Sequence, residues 1–361
     1  MRALATLTAF FLVASPALAQ ESGPIVIGVA APLSDAQDIL GRQVTDGVAA
    51  ALAADKGKTE TVIADTSCSA KGGEDAAKTF VEKKAAIVVG FLCVEAIEAA
   101  LPILKKAGIA TIDVGVRANR LTDDNERNGY LIKRLAPRSD DEAAALTRYI
   151  TARWGDKPFG LIDDGSIAAR GLVDAVRRLL ADEGLQPQTV DNYRPAEEKQ
   201  FGLARRLQRT GVTRFFIAGD RPDIAIIARD AKETGLDLDI LGAEGLFDEA
   251  SVDTPLPAGI IAIGPKTSFP ELAPQPEDAA SDPGYLPPQG YFGTAYAAAE
   301  IATQAAAESR SSGDPLAKIL STKTFDTGLG PVRFDAKGDG NLDLFRVYEW
   351  RGDEFVEETG G

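Results

Sequence analysis

The chain contains no histidine, and only two of its 361 residues are cysteine. Without imidazole it lacks the commonest general base and the commonest transition-metal ligand together. No G-x-S-x-G elbow, P-loop or zinc-ligand spacing appears either, so no nucleophile–base set, cofactor loop or metal constellation supports catalysis. Positive charge is scarce: 39 lysines and arginines face 54 acidic residues, for a net charge of −15. Such a surface repels phosphate backbones and anionic lipid heads, which disfavours nucleic acid and membrane-surface partners. Beyond the first 19 residues no apolar run reaches the roughly 18 residues of a membrane-spanning helix, so no membrane insertion is expected.

Those first residues have their own logic. Met1-Arg2 supply a positive start, Leu4 to Leu18 an apolar stretch, and Ala17-Leu18-Ala19 a small-residue cleavage pattern. This is read as a secretory signal peptide, residues 1–19, cleaved after Ala19 and delivering the protein to the periplasm. The remaining chain, about 340 residues, is long enough for two domains. In an oxidising compartment, Cys68 and Cys93 read most simply as one disulfide joining two neighbouring strand ends. Two buried free thiols are the alternative.

The pattern from Pro24 onward alternates strand and helix. Ile25 to Ala30, Thr61 to Asp65, Ala85 to Phe91 and Gly108 to Val114 are apolar runs of strand length. Between them, Asp38 to Ala54, Glu74 to Lys83 and Val94 to Lys106 carry helical periodicity. A second series follows: a helix from Asp140 to Arg153 with Ser139 as its cap, then Phe159 to Asp164, Ile167 to Glu183, Thr189 to Tyr193 and Phe201 to Thr210. It continues through Phe215 to Asp220, Asp223 to Thr234, Leu238 to Leu241 and Gly259 to Pro265. Unbroken apolar strands suit parallel sheets buried on both faces, and the alternation predicts an α/β protein built of βαβ units. Lys266 to Pro288 is a proline- and acid-rich crossing segment, and Gly290 to Ser309 a long alanine-rich helix.

Several stretches, taken in order, resemble one family. They are Pro32-Leu33-Ser34 followed by Gly41 and Gly47, Asp65 through Cys68 with Gly90-Phe91-Leu92-Cys93, Leu241-Gly242-Ala243-Glu244-Gly245, and Gly330 to Asp339 with Val347-Tyr348-Glu349-Trp350. The chain resembles the leucine/isoleucine/valine-binding proteins, the type I periplasmic solute-binding components of ABC transporters. The resemblance implies two Rossmann-like lobes with parallel sheets joined by three crossovers. Residues 20–136 plus 266–342 would form lobe 1, and 137–265 plus 343–361 lobe 2. It also implies a disulfide at the Cys68–Cys93 spacing, hinge closure around a small polar solute (an amino acid or related charged compound), and delivery to a membrane permease and its ATPase. A monomer without cofactor is expected.

The ligand positions implied by the resemblance transfer unevenly. Glu244 stands where the family places the acid that receives an α-ammonium. The carboxylate-binding serine is replaced by Val94, and a small-small-Thr loop by Gly115-Val116-Arg117. Expected aromatic positions hold Leu40, Ala168 and Asp220, the last followed by Arg221. Arg117 offers a planar fork for an anion, and Asp164, Asp220 and Glu244 can receive a cation. Asp164 can equally cap a helix, Asp220 and Arg221 can form an internal ion pair, and Arg120 reads as a solvated neighbour. Asp335 to Asp343 has the outline of a calcium loop, but its third position is Lys337 and its twelfth Arg346, which excludes an EF-hand. A sensory receptor of the same fold is the alternative function. An enzyme using Asp163, Asp164, Asp220 and Glu244 as acid and base is the least supported.

Overall fold

The computed structural model describes residues 23–53, 57–248, 250, 253–273 and 287–358. The expected signal peptide, the last residue of the first expected helix and much of the proline- and acid-rich segment lie outside this range.

The first half builds β1 (Ile25–Ala31), α1 (Asp38–Leu52), β2 (Thr59–Asp65), α2 (Ala70–Glu82), β3 (Ile87–Gly90), α3 (Val94–Ala107) and β4 (Ala110–Asp113). Two short helices, α4 (Arg120–Asp123) and α5 (Asn125–Asn128), then lead into β5 (Ile132–Arg134). All five strands are parallel, in the order β2-β1-β3-β4-β5. Every residue of β3 and β4 is buried, as an unbroken apolar run between two helix layers requires.

The second half repeats the plan with α6 (Asp141–Trp154), β6 (Phe159–Asp163), α7 (Ile167–Asp182), β7 (Thr189–Asn192) and α8 (Phe201–Thr210). It goes on through β8 (Arg214–Ala218), α9 (Arg221–Glu233), β9 (Asp239–Gly242) and β10 (Ile261–Pro265). The parallel order is β7-β6-β8-β9-β10, the same winding as the first sheet. In both, the order reverses beside the first strand of the half, and the crevice outside the strand ends at such a reversal is where open α/β sheets bind ligands.

The remaining chain completes both layers. The helix α10 (Phe292–Ser312) packs Ala295, Ala298, Ala302 and Ile301 into the core of Ile25, Ile27 and Ile87. Small residues allow the close approach: a Cβ on Gly47 of α1 would stand 2.4 Å from the Phe292 carbonyl oxygen. After α11 (Leu316–Thr322) and the hairpin β11 (Phe325–Thr327) and β12 (Gly330–Val332), the chain returns as β13 (Phe345–Trp350) and β14 (Phe355–Glu357). These last two strands run antiparallel, Ile261 of β10 facing Glu349. The second sheet is therefore mixed rather than wholly parallel, because the tail covers the exposed edge of β10 from the opposite direction.

Local boundaries differ from the expectation where side chains intervene. Helix α2 begins at Ala70, four residues before Glu74, because the Ser69 hydroxyl accepts the Gly72 N–H at 3.0 Å. Gly73 lies inside that helix, where a Cβ would meet the Ala96 carbonyl at 2.0 Å. Ser139 does not cap α6. Its hydroxyl donates to the Arg117 carbonyl at 2.8 Å, and the Asp141 carboxylate takes the Arg138 N–H instead.

Candidate functional site

The first sheet presents three turns at the strand ends. Strands β2 and β3 flank β1 rather than pairing with each other, so the expectation of neighbouring strand ends is corrected. The Cys68–Cys93 disulfide, with Cα atoms 5.2 Å apart, instead bridges across the end of β1. Gly90 has φ +123°, and a Cβ there would lie 2.1 Å from the Ala30 carbonyl. Val94, the first residue of α3, packs partly buried against the core on that side of the sheet.

After β4 the chain forms the loop Gly115-Val116-Arg117. Asp113 is wholly buried beneath it and its Oδ1 accepts the Val116 N–H at 3.0 Å. Burial raises this carboxyl to about 8, against the opposing pull of the Val116 N–H, Arg134 and the Gly115 N–H. The folded protein then keeps a proton that the unfolded chain releases above about pH 4, so stability from this group falls as pH rises toward 8. Asp113→Asn should flatten that part of the pH profile. Urea unfolding at pH 5 and pH 8 checks it, and an unchanged slope in the variant would refute the assignment.

From this loop Arg117 reaches across to the other half. Its Nη1 lies 2.5 Å from Glu244 Oε2, and its guanidinium sits 5.5 Å from the ring centre of Phe345. Glu244 opens a short 3-10 turn after β9, and its N–H donates to Glu142 Oε1 at 2.8 Å. Burial raises the Glu142 carboxyl, assisted by the nearby Glu244 charge. The two side chains expected to hold opposite ends of a ligand thus hold each other.

Two cavities share Glu244. One, of about 270 Å³, lies between the halves and is lined by Leu40, Gly115, Arg117 and Glu244, with Gln43 and Tyr291. The chain passes its walls at Ala136-Pro137, at Pro265 to Thr267 and at Leu344. The other, of about 510 Å³, lies on the second half and is lined by Asp164, Ala168, Asp220 and Glu244, with Glu142. Val94 and Arg221 line neither. Arg221 makes no ion pair with Asp220; its guanidinium stacks 4.2 Å from the Trp350 ring centre. Asp164 Oδ1 accepts the Ser166 N–H, and the Ser166 hydroxyl caps α7. Arg120 pairs with Glu98 on the outer face.

Three residues of this region escaped the sequence reading. Gln43 lies one helical turn after Leu40 and its Oε1 accepts the Tyr291 N–H at 3.1 Å, so the i, i+3 spacing was the available signal. Glu142 and Tyr291 carried none, since each reaches the site through long-range packing. The calcium-like turn is internally satisfied: Asp335 Oδ1 accepts the N–H groups of Lys337, Gly338 and Asp339.

A family model described as periplasmic binding protein matches residues 24–354, nearly the whole chain. The chain belongs to the periplasmic binding protein family. A Leu/Ile/Val-binding protein homolog from Brucella abortus is 26% identical over 344 residues, covering 91% of this chain and 90% of that one. The leucine-, isoleucine-, valine-, threonine- and alanine-binding protein of Pseudomonas aeruginosa is 26% identical over 309 residues, covering 81% and 79%. A crystal structure described as a putative branched-chain amino acid ABC transporter from Rhodospirillum rubrum superposes with a TM-score of 0.73 at 16% identity, covering 93% and 100%. This periplasmic binding protein is accordingly a solute-binding protein and not an enzyme.

Proposed function

We propose that the protein captures a small polar solute, an amino acid or related charged compound, in the cleft between its two halves and passes it to the permease and ATPase of an importer. The observation that carries this reading is the Arg117–Glu244 pair, which joins the two sheets' ligand edges over a cavity walled by all three chain crossings. The boundaries that fit it are residues 20–136 plus 266–342 for one lobe and 137–265 plus 343–361 for the other. Rotation about the crossings would open and close the cleft. The leader of residues 1–19 would place the mature protein in the periplasm.

The test is a thermal-shift screen of protein unfolded and refolded to remove co-purified ligand, against amino acids, amines, short acids, amides and polyols. A true ligand at 100 times its dissociation constant adds roughly 2.7 kcal/mol of stability. Small-angle scattering of the complex should show contraction. A ligand that binds without changing the scattering profile would argue against closure.

A further inference from the structure

We infer that Gln43 sets the specificity of the cavity between the halves, and that its side-chain N–H groups select a solute whose side chain carries a neutral oxygen, an amide or a hydroxyl, over a branched aliphatic one. This rests on the solute-capture reading above and names the class of solute within it. Gln43 stands on α1, three residues after Leu40, and both line the 270 Å³ cavity together with Arg117 and Glu244.

The two ends of the Gln43 amide are not equivalent. The residue is only 7% exposed, and its Oε1 accepts the Tyr291 N–H at 3.1 Å. The backbone just before α10 lies directly on this amide: Gly290 has φ +59°, and a Cβ there would stand 2.1 Å from Oε1. A backbone N–H can only donate, so the oxygen must face Tyr291 and the orientation of the amide follows. Nε2 is left with two N–H groups and no acceptor among the described residues. Buried side-chain amides ordinarily find partners for both ends.

The surrounding wall points the same way. Its charges are matched, Arg117 with Glu244 and Lys266 with Glu271 at 2.7 Å. The Thr294 hydroxyl donates to the Val114 carbonyl at 2.8 Å. Leu40, Val114, Pro137, Phe269 and Leu344 supply apolar surface, and the Tyr291 ring packs over Gly115, where a Cβ would stand 2.9 Å from its Cε1. A solute whose charged groups engage Arg117 and Glu244 therefore offers the rest of its surface to apolar walls and to the Gln43 donor. No unmatched cation is left there for a second carboxylate, so the acceptor that fits is a neutral oxygen. An aliphatic side chain would seal Nε2 from water with nothing to bond, the arrangement by which sites reject analogues that lack an oxygen.

The experiment uses the refolded mature protein and measures dissociation constants by calorimetry for two pairs, L-asparagine with L-leucine and L-threonine with L-valine. The members of each pair match in shape and in their charged groups and differ in the side-chain oxygen. In at least one pair the oxygen-bearing member should bind at least tenfold more tightly. Gln43→Met should weaken that member at least tenfold and tighten its aliphatic partner, whereas loss of a merely structural contact would weaken both alike. A smaller preference in the unaltered protein, a preference for leucine or valine, or equal weakening of both members in the variant overturns the role of Gln43 and leaves solute capture standing. If only another solute from the wider screen binds, unchanged affinity for it in Gln43→Met overturns that role and a tenfold loss, with its oxygen-free analogue unaffected, supports it. Silence of both pairs and of the wider screen overturns the role and the capture reading together.

Discussion

Asp339→Ala is expected to destabilise the protein by about 3–5 kcal/mol, the range for stranding one member of a buried ion pair. Arg134, at the end of β5, has a side chain with 0% exposure. Its Nε and Nη2 both lie 2.7 Å from Asp339 Oδ1. The remaining donors reach the Ala118 carbonyl at 2.9 Å and the Thr122 hydroxyl at 2.6 Å. Asp339 Oδ2 holds Arg138 Nη1 at 2.8 Å. One carboxylate therefore pairs with two guanidinium groups at the point where the chain leaves the first sheet. Removing it leaves Arg134 charged and out of water, with its hydrogen-bond set broken. Arg138 suffers less, because Asp123 and Asp140 still face it. Urea unfolding should show a lower midpoint at unchanged slope. Arg134→Met combined with Asp339→Leu should recover much of the loss, since an apolar pair carries no desolvation penalty. A loss below about 1 kcal/mol in the single variant would mean that water reaches Arg134, as for an exposed pair.

Removing the disulfide should cost roughly 3.5 kcal/mol on the chain-entropy account, given a sequence separation of 25. The bond matters beyond that account because of what it joins. Ser67, Cys68 and Phe91 all have positive φ, at 46°, 43° and 66°. Non-glycine residues adopt this region only when their surroundings hold them there. The bridge holds both turns across the end of β1, beside the start of α3 and the cleft. Cys68→Ala with Cys93→Ala should lower the unfolding midpoint and also weaken ligand binding. Unfolding with and without reductant measures the first effect and calorimetry the second. Equal midpoints under the two conditions would show that packing alone fixes the turns.

The sequence alone determined the architecture, because its signal is local. An apolar run such as Ile87 to Val89 states that both faces of a strand are covered, and alternation with helical spacing then requires parallel βαβ units. It also supplied the cysteine pair and the small set of charges near the strand ends. Elements without periodicity stayed hidden: β5 spans three residues, and the antiparallel direction of β13 is set by the sheet edge it covers.

Only the tertiary structure decided which charges meet. Arg117 and Glu244 are 127 residues apart, and Arg134 and Asp339 are 205 apart. Asp220 and Arg221 are adjacent in sequence, yet one lines a cavity and the other stacks on Trp350. The physical reason is that successive residues at a helix start point in different directions, whereas residues distant in sequence are brought together by sheet order and crossings. Local pattern fixes what an element is. The partner of a charge depends on where the elements are packed.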